Sequence, residues 1–446
     1  MGSFFSWLCL SLLVLSHSMP LVAGTEPYPA DRRDDIEAVI RGGIHDGEYP
    51  PGESPTGNSC SYPAPPAPPP PSIPHNLIRD ALTLQKLAAQ IKVDPFGVVK
   101  TWRGSNPCAF TGIRCAVKPD NNVLSVAVVD FNGLMLAGGT GKSLNLEDFI
   151  DNLPDIAIYH ANSNRFSGSI TVSKAKYLYE LDLSNNNFYG RFPPSLLQAR
   201  NLSYLDIRFN KFSGLLPGAV FELTLDVLFL NNNYFEGEIP ANIGLSPAYY
   251  ISFANNQFSG AIPAGIGQAP NLVEVLFLNN KMTGCLPYEI GMLKELTIFD
   301  ASDNCITGPI PLSFACLTKL EGLNLARNQL NGAVPEELCL IATISNISLS
   351  DNYFSQVGPI CRALVDTKKI DLRNNCIWDF PEQREPEECE EFFRKAASCE
   401  NELSLSYIPC EEPSYHHQMR DHMSFAKVAT GKSRHVTYNA LNPVHG

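Results

Sequence analysis

With 446 residues, 44% of them apolar, the chain is long enough for one large or two medium domains with a sizeable core. Its formal net charge of -13 argues against a general nucleic-acid binder, because neutralising phosphates needs a basic surface.

Residues 1–24 read as a secretory signal. "FFSWLCLSLLVL" supplies an apolar run and "LVAG" around Ala23 offers small residues for cleavage, although no Lys or Arg precedes the run. The opening "MGSFFS" also matches a myristoylation pattern at Gly2, which inside a signal segment is better read as a chance match. No later apolar stretch is long enough to span a membrane, and the polar ending "NALNPVHG" gives no expectation of a lipid-anchor tail. Of 13 cysteines, Cys9 leaves with the signal, and an even number in a secreted chain favours disulfides over thiols or zinc. Sequons at Asn201 ("NLS") and Asn346 ("NIS") fit the same extracellular compartment.

Residues 25–76 are rich in Pro, Gly and charge, and "PAPPAPPPPSIP" is expected to be a polyproline II spacer in a disordered segment. Residues 77–122 read as a cap. "LIRDALTLQKLAAQI" has Ala81, Leu84, Ala88 and Ile91 at helical spacing, and "DPFGVV" ends that helix. "TWRGSNPCAFTGIRC" then brings Trp102, Cys108 and Cys115 into a short loop-rich segment whose spacing permits a tight local bridge.

Residues 123–385 repeat. An Asn followed two residues later by an apolar residue recurs at Asn164, Asn186, Asn210, Asn233, Asn256, Asn280, Asn304, Asn328, Asn352 and Asn375, and Leu134 fills the slot in an earlier unit. Steps of 22 to 24 residues give about eleven units, the signature of a solenoid. In "LNLARNQLNGAVP", Leu323 and Leu325 alternate like a short inward-pointing strand. Asn328 sits where the chain leaves that strand, and its amide can satisfy buried backbone groups of neighbouring coils. Gly332 permits a bend, and Pro335 suits a segment without ladder donors. One coil cannot bury its own apolar edge, but stacked coils share a core. Residues 386–410 form a Cys-rich C-terminal cap, and residues 411–446 a polar tail expected to be disordered.

The endings "FSGLLP", "FEGEIP", "FSGAIP", "MTGCLP" and "ITGPIP" resemble the plant-specific leucine-rich repeat. "LAAQIKVDPFGVVKTWRGSNPCAFTGIRC" is similar to that class's N-terminal cap, with Phe110 where the family usually has Trp. The resemblance covers residues 77–385 and implies a right-handed α/β solenoid with disulfide-stapled caps. "YLYELDLSNNNFYGRFP", "LSYLDIRFNKFSGLLP", "LDVLFLNNNYFEGEIP" and the cysteine order from Cys339 to Cys410 narrow it to the repeat domain of leucine-rich repeat extensins. Those are plant cell-wall proteins associated with binding basic rapid-alkalinisation-factor peptides and fixed to the wall by Ser-Pro runs. The sequence departs there: no such Ser-Pro runs appear within these residues, and the Pro-rich piece is N-terminal and short, so covalent wall attachment is not expected from it.

In such a coil the strand residues that do not point inward form the concave face. Across the units from Leu153 to Leu317 the acidic residues there are Glu180, Asp182, Asp206, Asp226, Glu274, Asp300, Asp303 and Glu321, and the basic ones Arg208 and Arg327. Tyr179, Tyr204, Phe209, Phe229, Tyr249 and Tyr250 lie on four consecutive units. Acidic edges also keep a secreted solenoid soluble, but exposed aromatics on adjacent strands have no such role. The expected ligand face is therefore Tyr179, Asp182, Tyr204, Asp206, Phe229, Tyr249, Tyr250, Glu274 and Asp300. A glycan on Asn346 obstructs the C-terminal end of this face and favours the earlier units.

Besides Cys108–Cys115, a staple between Cys285 and Cys305 is expected from their offsets on adjacent coils. Cys316, Cys339 and Cys361 fall near coil joints, and Cys376, Cys389, Cys399 and Cys410 are expected to staple the C-terminal edge. His416, His417, His422, His435 and His445 crowd the tail without the rigid spacing of a metal site. No catalytic motif is recognisable. The expectation is a secreted apoplastic or wall-associated protein that binds a basic secreted peptide or protein, without cofactor or catalysis. Cell-wall polysaccharide is a secondary partner class, as is a homodimer, disulfide-linked through Cys60 or non-covalent. The competing role is inhibition of a pathogen's polygalacturonase.

Overall fold

The computed structural model describes residues 73–410 except 397, 400 and 401. The signal segment, the Pro-rich stretch to residue 72, Cys60 and the tail from residue 411 lie outside them. The chain enters through helix α1 (His75–Gln90), directly after Pro74, at a position where a missing amide proton costs no helical bond. Leu77, Ala81, Leu84 and Leu87 recur every three or four residues, so they share one buried face against the first coil. Trp102 seals this end. Its ring stacks on Phe131 at 5.3 Å and on Phe110 at 6.5 Å, and its indole N–H donates to the Thr111 carbonyl at 3.0 Å. Phe110 thus keeps the packing of an aromatic at that position without a second indole donor.

One face of the solenoid is a 12-stranded sheet. Strands β1 (Ile113–Val117) and β2 (Leu124–Asp130) pair antiparallel, and every later strand adds in parallel. These are β3 (Ile158–His160), β4 (Glu180–Asp182), β5 (Tyr204–Asp206), β6 (Val227–Phe229), β7 (Tyr250–Ser252) and β8 (Glu274–Leu276). They continue as β9 (Ile298–Asp300), β10 (Gly322–Asn324), β11 (Asn346–Ser348) and β12 (Ile370–Asp371). The middle residue of each three-residue strand, such as Leu205, Leu228 or Ile251, points into the core, and its neighbours point away.

The opposite side was not legible as a sheet. Short strands after each recurrent Asn, among them Lys211–Leu215 and Tyr234–Glu238, form a second parallel sheet of seven strands, followed by one of three. A 3-10 turn then leads each coil back, for example Gly218–Glu222 and Ala241–Leu245.

The recurrent Asn binds these coils together as expected. Asn256 Oδ1 accepts from Phe235 N of the preceding coil at 3.0 Å. Its Nδ2 donates to the carbonyls of Leu230, Phe253 and Ala254 at 3.0 to 3.1 Å. Asn210, Asn233, Asn280, Asn304 and Asn328 repeat the pattern. The residue before each ladder Asn has positive φ, as at Asn232, Asn255 and Asn279, which explains the doubled Asn: short amides tolerate the left-handed region best. Inside the coils Phe188, Phe212, Phe235 and Phe258 stack in a row with centroids 6.2 to 6.4 Å apart.

Cys108 and Cys115 are bonded as expected. Within the C-terminal cap, whose pairings the sequence left open, Cys376 is bonded to Cys389. Cys339 joins Cys361 on the next coil. The expected Cys285–Cys305 staple does not form, because Cys285 is bonded to Cys399, 114 residues away. Cys410 likewise reaches back to Cys316. After helix α2 (Pro386–Lys395) the chain doubles back along the solenoid instead of only covering its last coil. Tyr407 packs edge-on against Tyr288, 5.7 Å between centroids. The crossing coincides with the gap between the two smaller sheets, where the isolated Cys285–Thr307 pairing stands in for a continuous ladder. A Cβ at Gly308, φ +82°, would lie 2.3 Å from the Cys399 sulfur, so only glycine lets the disulfide seat there.

Candidate functional site

Parallel register aligns equivalent residues of successive coils into rows across the concave face. One row runs Glu180, Tyr204, Val227, Tyr250, Glu274 and Ile298. The next runs Asp182, Asp206, Phe229, Ser252, Leu276 and Asp300. Tyr179, Asp226, Tyr249 and Glu321 lie just ahead of the strands, half-buried except for the exposed Glu321. Two residues beyond the second row come Arg208, Ala254 and Leu278.

The middle of this face is apolar. Val227, Phe229, Ala254 and Leu276 form a buried cluster separate from the main core, and Tyr204, Tyr250, Leu278 and Ile298 pack against it. Tyr204 meets Phe229 edge-on at 6.3 Å. The guanidinium of Arg208 lies over the Phe229 ring at 5.0 Å and pairs with Asp206 at 2.9 Å.

Of the nine expected ligand residues, all nine belong to this face, but they differ in access. Tyr179, Tyr204, Tyr249 and Tyr250 are half-buried. Asp182, Asp206, Phe229, Glu274 and Asp300 are buried, with exposures of 6, 0, 1, 2 and 0%. Three of the acids have a local task that sequence spacing did not reveal. Asp182, Asp206 and Asp300 each accept from the backbone N–H two residues on, at 2.9 to 3.0 Å, and so shape the exit from the strand. Ser184 and Ser302 hydroxyls add second bonds, both at 2.6 Å, to Asp182 and Asp300. Burial pushes the Asp206 carboxyl well above the usual range, Asp182 adds to this, and Arg208 opposes it. Burial and the neighbouring Glu274 also raise the Tyr250 hydroxyl. The exposed acid of the region is Glu321, while Asp226 and Asp303 are half-buried and Glu180 is held by His160.

Val227, Leu276, Ala254, Leu278 and Ile298 were missed. The available signal was the run "VLFL" in both "LDVLFL" and "VEVLFL", where apolar residues follow one another instead of alternating. At the N-terminal end of the face His160 Nε2 lies 2.9 Å from Glu180 Oε2. Burial lowers the His160 pKa, but the hydrogen bond to Glu180 and the charges of Glu180, Asp182 and Asp130 outweigh it and raise the pKa above 6.5.

Both sequon asparagines are exposed. Asn201 donates to the Lys176 carbonyl at 3.0 Å, and Asn346 opens β11 on the concave sheet. Among the described residues no group of three or more His, Cys, Asp or Glu side chains is arranged to hold a metal, and no helix is long and apolar enough to cross a membrane.

Two family models match the chain: the leucine rich repeat N-terminal domain over residues 77–116, and the leucine rich repeat over residues 177–199, 201–223 and 295–317. Leucine-rich repeat extensin-like protein 1 of Arabidopsis thaliana is 40% identical over 106 residues, covering 23% of this chain and 13% of that protein. Leucine-rich repeat extensin-like protein 2 of the same plant is 37% identical over 155 residues, covering 34% of this chain and 19% of its own length. The chain therefore spans less than a fifth of these curated relatives. Among solved structures, PEPR1-AtPEP1 superposes with a TM-score of 0.51 at 27% identity, over 66% of this chain and 48% of that one. A plant ice-binding protein superposes with a TM-score of 0.53 at 22% identity, over 69% of this chain and 98% of that one, which speaks to the fold alone.

Proposed function

We propose that this chain, a leucine-rich-repeat protein whose repeats resemble those of the plant leucine-rich repeat extensin-like proteins, is an extracellular binding protein of the plant wall or apoplast. Its concave face captures a basic peptide or protein of the rapid-alkalinisation-factor type, in wall growth or integrity signalling. The observation that carries this reading is the apolar patch of Val227, Phe229, Ala254 and Leu276, flanked by half-buried Tyr204 and Tyr250, inside a field of carboxylates. A soluble solenoid gains nothing from aromatic and aliphatic side chains gathered on its concave sheet, whereas an interface needs such an anchor inside a polar rim. Exposed Glu321 and half-buried Asp226 supply negative charge, which selects a cationic partner and speeds encounter. Five disulfides among the described residues suit an oxidising compartment.

Capture from wall extract at two salt concentrations tests this. A small basic peptide should be retained at low salt and lost at high salt. Recovery of a polygalacturonase in place of such a peptide would overturn the reading in favour of a defence inhibitor.

A further inference from the structure

We infer that the concave face is occupied in the resting protein by the chain's own C-terminal segment, residues 413–446, which acts as a tethered competitor of the external ligand. This rests on the reading of that face as the ligand site. Three observations meet here. The first is charge. The segment carries Arg420, Lys427, Lys432 and Arg434 against the single acid Asp421, in a chain whose net charge is -13. The face it would meet presents exposed Glu321, half-buried Asp226 and the Glu180 of the His160 pair. The N-terminal segment, by contrast, is itself acidic between Glu26 and Glu53 and would be repelled. The second is apolar content. Tyr415, Phe425 and Tyr438 are interleaved with the basic residues, matching a patch of Val227, Phe229 and Leu276 ringed by carboxylates. That patch is buried, although helix α1 packs beside β2 and helix α2 stacks its Phe392 on Tyr353 of a later coil. The third is reach. Cys410 is fixed to Cys316 in the middle of the solenoid, and 36 residues follow it. Thirty-six residues span roughly 30 Å even at random-coil dimensions, enough to pass around a coil whose two faces are about 10 Å apart. Tethering makes its effective concentration millimolar in order, so a segment of weak intrinsic affinity still competes.

The consequence is a threshold. An external ligand must be more basic or better anchored than the tail to enter, and anything that removes the tail or its charge opens the site.

The test uses the full chain and a labelled synthetic peptide of residues 413–446 as probe. A charge-reversed variant, Arg420→Glu with Lys427→Glu, Lys432→Glu and Arg434→Glu, leaves every described residue unchanged. The probe should bind this variant at least tenfold more tightly than the native chain, whose face is already filled. Carbodiimide cross-linking of the native chain should join Lys427 or Lys432 to Glu180, Asp226 or Glu321. Equal binding of the probe to both chains, or to neither, overturns the inference, as do cross-links confined to acids away from the concave sheet. The two readings fail separately. A wall extract that yields no basic ligand to either chain sinks the external-ligand reading while the cross-links still support the tail. A native chain that captures basic ligand as well as the charge-reversed one sinks the tail reading alone.

Discussion

The side chain of Asn256 accepts a hydrogen bond from the backbone N–H of Phe235, 21 residues earlier, at 3.0 Å. The same amide donates to three carbonyls, one of them Leu230 of the preceding coil. Each coil is therefore fastened to the last by a side chain, not only by sheet bonds. Asn256→Ala strands one buried N–H and several carbonyls, each costing about 1–3 kcal/mol. Urea unfolding should show a loss on the order of 3 kcal/mol, and a loss below about 1 kcal/mol would contradict the role given to this ladder.

The Cys285–Cys399 link closes a loop of 114 residues. Loop-closure entropy places its contribution at about 4–5 kcal/mol. Cys399→Ser should lower the melting temperature and open residues near 399–410 to limited proteolysis. Gly308→Ala should have a related effect by a different route, since the added methyl occupies the sulfur's position. Thiol counting after folding should find more reactive thiol in that variant than in the native chain; an unchanged count would show that the coil can shift to accommodate the methyl.

The His160–Glu180 pair should make stability depend on pH. The folded-state pKa of His160 is raised, so its contribution is complete below about 6.5 and disappears as pH rises through the raised value. Thermal unfolding of the native chain and of Glu180→Gln should differ by about 1 kcal/mol near pH 5.5, and the difference should shrink toward pH 8. A gap that does not change with pH would rule out the pairing as a source of stability.

Tyr250→Ala removes a half-buried ring from the edge of the apolar patch and should weaken capture of a basic ligand at least tenfold. Tyr234→Ala, at an exposed position of the second sheet, is the control and should bind as the native chain does. Equal loss in both would mean that the ligand reads the opposite face.

The period, the caps and the ladder Asn were legible in the sequence because each coil repeats the same local physics, and repetition makes a weak pattern unmistakable. The second sheet was not, since Lys211–Leu215 and its equivalents are short and contain Gly, which reads as turn. Cys399 and Cys410 were misplaced for a different reason. The segment carrying them has no repeat, so nothing in its letters says which coil it lies beside. At the concave face the expected residues lie on the sheet where the sequence put them, but their access was not foreseen. Asp182, Asp206 and Asp300 look like free carboxylates in a string of letters, yet each closes a turn in its own coil. Val227 and Leu276 look like core, yet they point the other way.

The doubled-back C-terminus also settles how the molecule would carry tension. A pull on residues beyond Cys410 passes through its sulfur directly into Cys316. Strands β10, β11 and β12, together with their turns, lie inside the closed loop and feel no force. The coils least supported by neighbours are thus taken out of the load path, and the strain enters the stack partway along, where coils press on both sides.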